Sequence, residues 1–151
     1  MFKIFYEDIT IGDQSDFGSY EVTKEEVVDF ATKYDPQPFH INEEIAKQSV
    51  FGGLCASGWH TGSMMMSMLV QHMMEEGFAS MGSPGLDELK WLKPVMPGDI
   101  LTVRQECIDK RESKSRKNIG LLKFKTEVFN SKGVTVMSVI ANAMILKRMQ
   151  P

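Results

Sequence analysis

Asp35 and His40 lie five residues apart in the run Tyr34-Asp35-Pro36-Gln37-Pro38-Phe39-His40. Pro36 and Pro38 bias the residues before them, Asp35 and Gln37, away from the α region. Each proline also fixes its own φ and lacks an N–H donor. The expectation is an ordered, extended, non-helical loop that carries an acid, an amide and an imidazole. A group that moves a proton must sit within hydrogen-bond reach of the reacting atom, and a stiff loop can hold it there. Taken alone, the same residues also fit a proline-rich turn in which Asp35 caps the backbone and His40 is half buried.

A second candidate lies downstream. Phe51-Gly52-Gly53-Leu54-Cys55-Ala56-Ser57-Gly58 is a stretch of small residues that ends where the longest apolar run of the chain begins. Gly58 therefore sits at a helix N-terminus, where backbone N–H groups are unpaired and the macrodipole favours negative charge. A donor held in that way is typically worth about 10² to 10³ in rate when charge develops on a carbonyl oxygen. Simple loop flexibility is the competing explanation of that glycine. His60, just inside the helix, reads as a packed or partner-facing histidine rather than a second acid. His72, near the polar end, reads as solvated. Cys55 reads as a small buried hydrophobe, since no separate base is indicated to activate its thiol. Lys110-Arg111-Glu112-Ser113-Lys114-Ser115-Arg116-Lys117 reads as a solvated basic hairpin loop, with attraction of phosphates as the alternative.

These residues need elements to position them. Residues 16–22 alternate as a strand. Thr23 with Glu26 forms a capping box that opens a helix with Val27, Val28, Phe30, Ala31 and Tyr34 on one face. Asn42 caps a short second helix that runs to about residue 48. The run 59–76 carries methionines at 64, 65, 66, 68, 73 and 74, covers most of a helix circumference with apolar side chains, and is closed by Gly77. Such a helix is expected to be buried all round. Residues 86–92, 100–108, 119–129 and 134–146 read as strands, with Asn130-Ser131-Lys132-Gly133 as a hairpin turn. The connections between the last three strands are too short for parallel crossovers. The fold class is therefore α+β: one antiparallel sheet beside one long buried helix.

Bulk properties narrow the function classes. A chain of 151 residues is expected to form one domain, 1–151, with 42% hydrophobic and 25% charged residues. A net charge of −3 argues against a nucleic-acid surface. Cys55 and Cys107 have no metal-ligand spacing. No run approaches the roughly 18 apolar residues of a membrane span. The N-terminus has no signal-peptide pattern, so a cytoplasmic protein is expected.

The run Tyr34-Asp35-x-Gln37-Pro38-Phe39-His40, with Ala46 six residues on, resembles the signature of MaoC-like dehydratases and (R)-specific enoyl-CoA hydratases, which have the hot-dog fold. The likeness continues through Phe51, Ser57 and Gly58 into the long helix. It resumes at 89–95 and at Gly98-Asp99, which look like the family's third strand and following turn. Gln37 stands where the family has Asn, so the amide is kept but lengthened by one methylene. The resemblance implies an antiparallel sheet wrapped around a central helix. It also implies hydration of trans-2-enoyl thioesters or dehydration of 3-hydroxyacyl thioesters. Asp35 and His40 would be the catalytic pair, Gly58 N–H would hold the carbonyl, and Gln37 and Ser57 would contact substrate. It further implies no metal or other cofactor, acyl groups carried by coenzyme A or acyl-carrier protein, and a homodimer or larger homo-oligomer. Two alternatives stay open: a thioesterase on the same fold, and a non-catalytic acyl-binding subunit.

Overall fold

The computed structural model describes residues 1–150. After a short 3-10 turn at Tyr6–Asp8, the elements run β1 (Gln14–Glu21), α1 (Lys24–Tyr34), α2 (Pro38–Ile41), α3 (Glu43–Lys47), α4 (Gly58–Glu76), β2 (Gly85–Trp91), β3 (Ile100–Glu112), β4 (Ile119–Phe129) and β5 (Thr135–Leu146). The five strands form one sheet in the order β1-β3-β4-β5-β2, and every neighbouring pair is antiparallel. The α+β architecture follows the strand reading. The strand expected at 86–92, likened above to the family's third, is β2 and lies at the sheet edge.

The cap residues act where expected, but the Thr23–Glu26 capping box is only half formed, since the Glu26 carboxylate accepts from Tyr20 and His60 instead. Thr23 caps α1 by accepting from Glu26 N–H, and Asn42 caps α3 by accepting from Ile45 N–H. Gly77 ends α4 at φ 75, in the left-handed region that glycine enters without a Cβ clash. The helix α4 lies across β1 so closely that a Cβ on Gly18 would meet the Met68 sulfur at 2.5 Å. Its inner side joins Met64, Met65 and Met68 to Val27, Ala46, Leu54, Val103, Val128 and Met137 in the main core.

Three expectations need correction. The Asp35–His40 segment is not wholly extended. Asp35 and Gln37 keep the non-helical backbone that proline imposes, but Pro38 then starts the one-turn helix α2, with His40 inside it. Proline is well placed at a first helical position, because the N–H it lacks would be unpaired there. Nor is α4 buried all round. Trp59 (61% exposed), Met66 (44%), Val70 (39%) and Met74 (78%) form a stripe at spacings of seven, four and four that the sheet of a single chain does not cover. In α1, Val27 and Ala31 are buried, but Tyr34 of the expected apolar face is 71% exposed.

Candidate functional site

Asp35 ends α1, and His40 stands on α2 one short loop later. Their separation is 3.5 Å between Asp35 Oδ2 and His40 Nε2. His40 is buried, and its Nδ1 lies 2.6 Å from the Cys55 carbonyl oxygen. A carbonyl oxygen only accepts, so Nδ1 carries the proton and donates it there. Nε2 is then the nitrogen turned towards Asp35. When the ring carries only the Nδ1 proton the two facing atoms are both acceptors, a pair suited to holding one donor molecule such as water.

Asp35 is held on both oxygens. Gln37 Nε2 donates to Oδ1 at 2.7 Å, and Ser57 Oγ donates to Oδ2 at 2.7 Å. Burial pushes the carboxyl pKa up, but these two donors and the positive form of His40 outweigh it and hold Asp35 below its ordinary value. The longer Gln37 amide thus reaches the catalytic candidate within its own turn. Ser57 stands differently from expectation. It is fully buried behind Asp35 and absent from the pocket wall, so its hydroxyl supports the acid rather than facing a ligand.

With Ser57 Oγ committed to Asp35, α4 has no side-chain cap. The N–H groups of His60 and Thr61 both bond back to the Ser57 carbonyl, which leaves those of Gly58 and Trp59 as the outermost donors of the helix. Gly58 lines the same pocket as Asp35 and His40, a space of about 460 Å³ walled by Phe39, Phe51, Trp59, Trp91 and Val95. The reason for the glycine is not only ligand access. A Cβ at position 58 would meet Trp91 Cε2 at 2.5 Å, so the indole of β2 rests directly on this backbone. Trp59 meets the same indole edge-on at 5.6 Å. No local pattern of residues assigned Trp91 to the site; the pairing of β2 with β5 brings it back beside α4.

The remaining candidates fall elsewhere. Cys55 is buried and its thiol is pushed up to about 11 by burial, a poor nucleophile at neutral pH. His60 stacks on Phe30 and sets Nε2 3.2 Å from Glu26 Oε1, away from Asp35. His72 is not freely solvated: it is half buried and stacked on Phe17 at 4.1 Å. A larger groove of about 590 Å³ runs between the C-terminal half of α4, at Met66, Leu69, Val70 and Met73, and the sheet, at Gln105, Phe124 and Ala141, but it holds neither Asp35 nor His40. Among the described residues no group of three or more His, Cys, Asp or Glu side chains is gathered to hold a metal ion, and no helix is long and apolar enough to cross a membrane.

A long helix wrapped by a five-stranded antiparallel sheet, with an acid and a histidine at the helix N-terminus, defines a hot-dog protein with a candidate acid–base pocket. The chain belongs to the MaoC-like domain family, whose model matches residues 8–128. It is 31% identical over 133 residues to the uncharacterized protein YdeM of Bacillus subtilis (strain 168), covering 86% of this chain and 90% of that protein. The crystal structure of the MaoC-like dehydratase from Rhodospirillum rubrum superposes with a TM-score of 0.88 at 34% identity, covering 98% of this chain and 100% of that one. The R-hydratase PhaJ1 from Pseudomonas aeruginosa superposes at 0.73 with 23% identity, covering 98% and 94%, a likeness of fold.

Proposed function

We propose that this chain, as a single domain over 1–151, adds water to trans-2-enoyl thioesters and removes it from 3-hydroxyacyl thioesters. The observation that carries the reading is the facing pair Asp35 Oδ2 and His40 Nε2, 3.5 Å apart, in a pocket that also presents the first N–H groups of α4. The names of the Rhodospirillum rubrum dehydratase and the Pseudomonas aeruginosa hydratase agree with it.

In the forward direction the pair holds a water by its two hydrogens, which turns an oxygen lone pair towards C3. As the new C3–O bond forms, one water proton passes to the pair, and electron density moves through C2 to the thioester oxygen. The Gly58 N–H, aided by the α4 dipole, stabilises that enolate. The pair then returns one proton to C2, so a water is consumed and the Asp–His pair ends as it began. The two groups act on one proton inventory and are treated as a unit. Gln37 and Ser57 keep Asp35 ionised and aimed. No step requires a metal or an organic cofactor.

The functional unit in this reading is a cytoplasmic homodimer. The uncovered stripe Trp59, Met66, Val70 and Met74 and the open edge of β2 are the surfaces that a second copy would cover. The test of function is the loss of enoyl-thioester absorbance on a panel of short, medium and branched substrates. Hydration without release of free thiol supports the reading. Release of thiol without hydration replaces it with a thioesterase, and binding without either replaces it with an acyl-binding subunit.

A further inference from the structure

A thioester on coenzyme A or on a carrier protein ends, beyond its pantetheine arm, in a phosphate. The basic stretch of the sequence cannot meet it within one chain. The β3–β4 hairpin lies past Glu112, which pairs with Gly120, whereas the pocket lies at the opposite end of the sheet, beside Trp91 and Val136. Phe129 lies nine residues beyond Gly120 along β4, a distance of about 30 Å at the usual strand rise. Lys110, moreover, is drawn inward to the Tyr6 and Ile9 carbonyls.

One cation remains at the pocket. Lys93 lines it and is exposed, two residues beyond the end of β2. Its backbone is fixed, since Leu92 and Lys93 N–H both donate to the Val136 carbonyl and Pro94 follows. Elsewhere Lys24, Lys33, Lys47, Arg104, Lys123, Lys125, Lys147 and Arg148 each face a carboxylate. Lys93 is one of several cations that face no carboxylate among the described residues, and of those it is the one that lines this pocket. Among the described residues the only carboxylate lining the pocket, Asp35, already has Ser57, Gln37 and His40 as partners. A phosphate approaching this mouth therefore meets the field of an ionised Asp35 unless a cation offsets it.

We propose that Lys93 is the phosphate-binding residue of the site and makes it selective for thioesters whose pantetheine arm ends in a phosphate. The assignment rests on the thioester reading above and specifies its substrate class. An ammonium–phosphate contact is charge-assisted, and at an exposed position it is screened by salt.

The experiment compares three crotonyl thioesters: coenzyme A, 4′-phosphopantetheine, and pantetheine without phosphate. The readout is the ratio of kcat/KM for each phosphorylated substrate to that for pantetheine. K93Q should lower both ratios about tenfold, and the loss should shrink at about 0.5 M salt. K114Q, the same charge change on the distant hairpin, should leave them within twofold. Titration of coenzyme A itself should show weaker binding to K93Q without any turnover being needed. Unchanged ratios and unchanged coenzyme A binding in K93Q would overturn the assignment, as would an equal effect of K114Q. A loss confined to the coenzyme A thioester would move the contact to the nucleotide and overturn the 4′-phosphate. If the wild type turned over none of the three while K93Q still weakened coenzyme A binding, the hydratase reading would fail and the Lys93 site would stand.

Discussion

His40 has one nitrogen available for chemistry. The Cys55 carbonyl fixes the proton on Nδ1, so Nε2 alone faces Asp35. We predict that Asp35→Asn and His40→Ala each lower kcat by about 10² or more, and that the double variant is far less than additive, as groups acting as a unit are. Near-normal turnover in either single variant with the fold intact would remove that residue from the mechanism. The supports of Asp35 give a second prediction with a definite sign. Ser57 and Gln37 hold its pKa below the ordinary value, and the acid must be ionised to accept from water. Removing either donor raises that pKa, so Ser57→Ala and Gln37→Ala should move the acid limb of the pH–kcat/KM profile to higher pH. A limb that stays in place would mean that Asp35 does not govern it. At Gly58 the competing effects are countable. Alanine gains up to about 1 kcal/mol of helix propensity over glycine. Its Cβ, however, collides with the Trp91 ring at 2.5 Å, and overpacking costs about 1 to 3 kcal/mol. Gly58→Ala should therefore destabilise, and Trp91→Ala in the same chain should remove most of that loss. Denaturant unfolding of the four proteins of the cycle measures the coupling.

At the scale of elements, the site depends on α1 and α4 keeping their relation, and two ties hold them. One is the Ser57–Asp35 hydrogen bond at the end of α1. The other lies at its start, where Glu26 Oε1 accepts from both Tyr20 of β1 and His60 of α4. His60 Nδ1 is buried with no partner, which places its proton on Nε2, donating to Glu26. The bond from Tyr20 to Glu26, with burial and the nearby Glu26 charge adding to it, pushes the phenol up to about 12. A pKa raised on folding contributes stability that is complete below the unfolded value of about 10 and lost as pH rises towards 12. The stability difference between wild type and Tyr20→Phe should therefore be constant through neutral pH and close across that alkaline interval. A gap independent of pH up to 12 would show that Tyr20–Glu26 does not tie the elements.

At the scale of the molecule, the uncovered side of α4 is the surface on which the proposed homodimer would form. Met66 and Val70 lie mid-stripe, and burying such side chains against a second copy is worth about 1.5 to 3 kcal/mol each. Light scattering should report about twice the 17.1 kDa chain mass for the wild type, and Met66→Glu with Val70→Glu should shift it towards a single chain. A wild-type protein that is active at 17.1 kDa would end the dimer proposal.

Much of this was legible in one dimension because its causes are local. The Thr23 and Asn42 caps, the Gly77 stop, the 119–129 strand and the antiparallel order of the last strands follow from side-chain hydrogen bonds, left-handed backbone and loop length, all short-range effects. The proline spacing likewise announced Asp35 and His40 as a fixed pair, although it did not reveal that Pro38 would start a helical turn under His40. What tertiary structure alone decided is which distant residues stand beside that pair. Ser57 reaches Asp35 across 22 positions, and Cys55 fixes His40 across 15. Trp91 and Lys93 enter the pocket because the edge strand β2 pairs with β5, and the basic hairpin is removed to the far end of the same sheet. Strand order and register set these distances, and they arise from packing between segments far apart in the chain, which no local pattern of residues encodes.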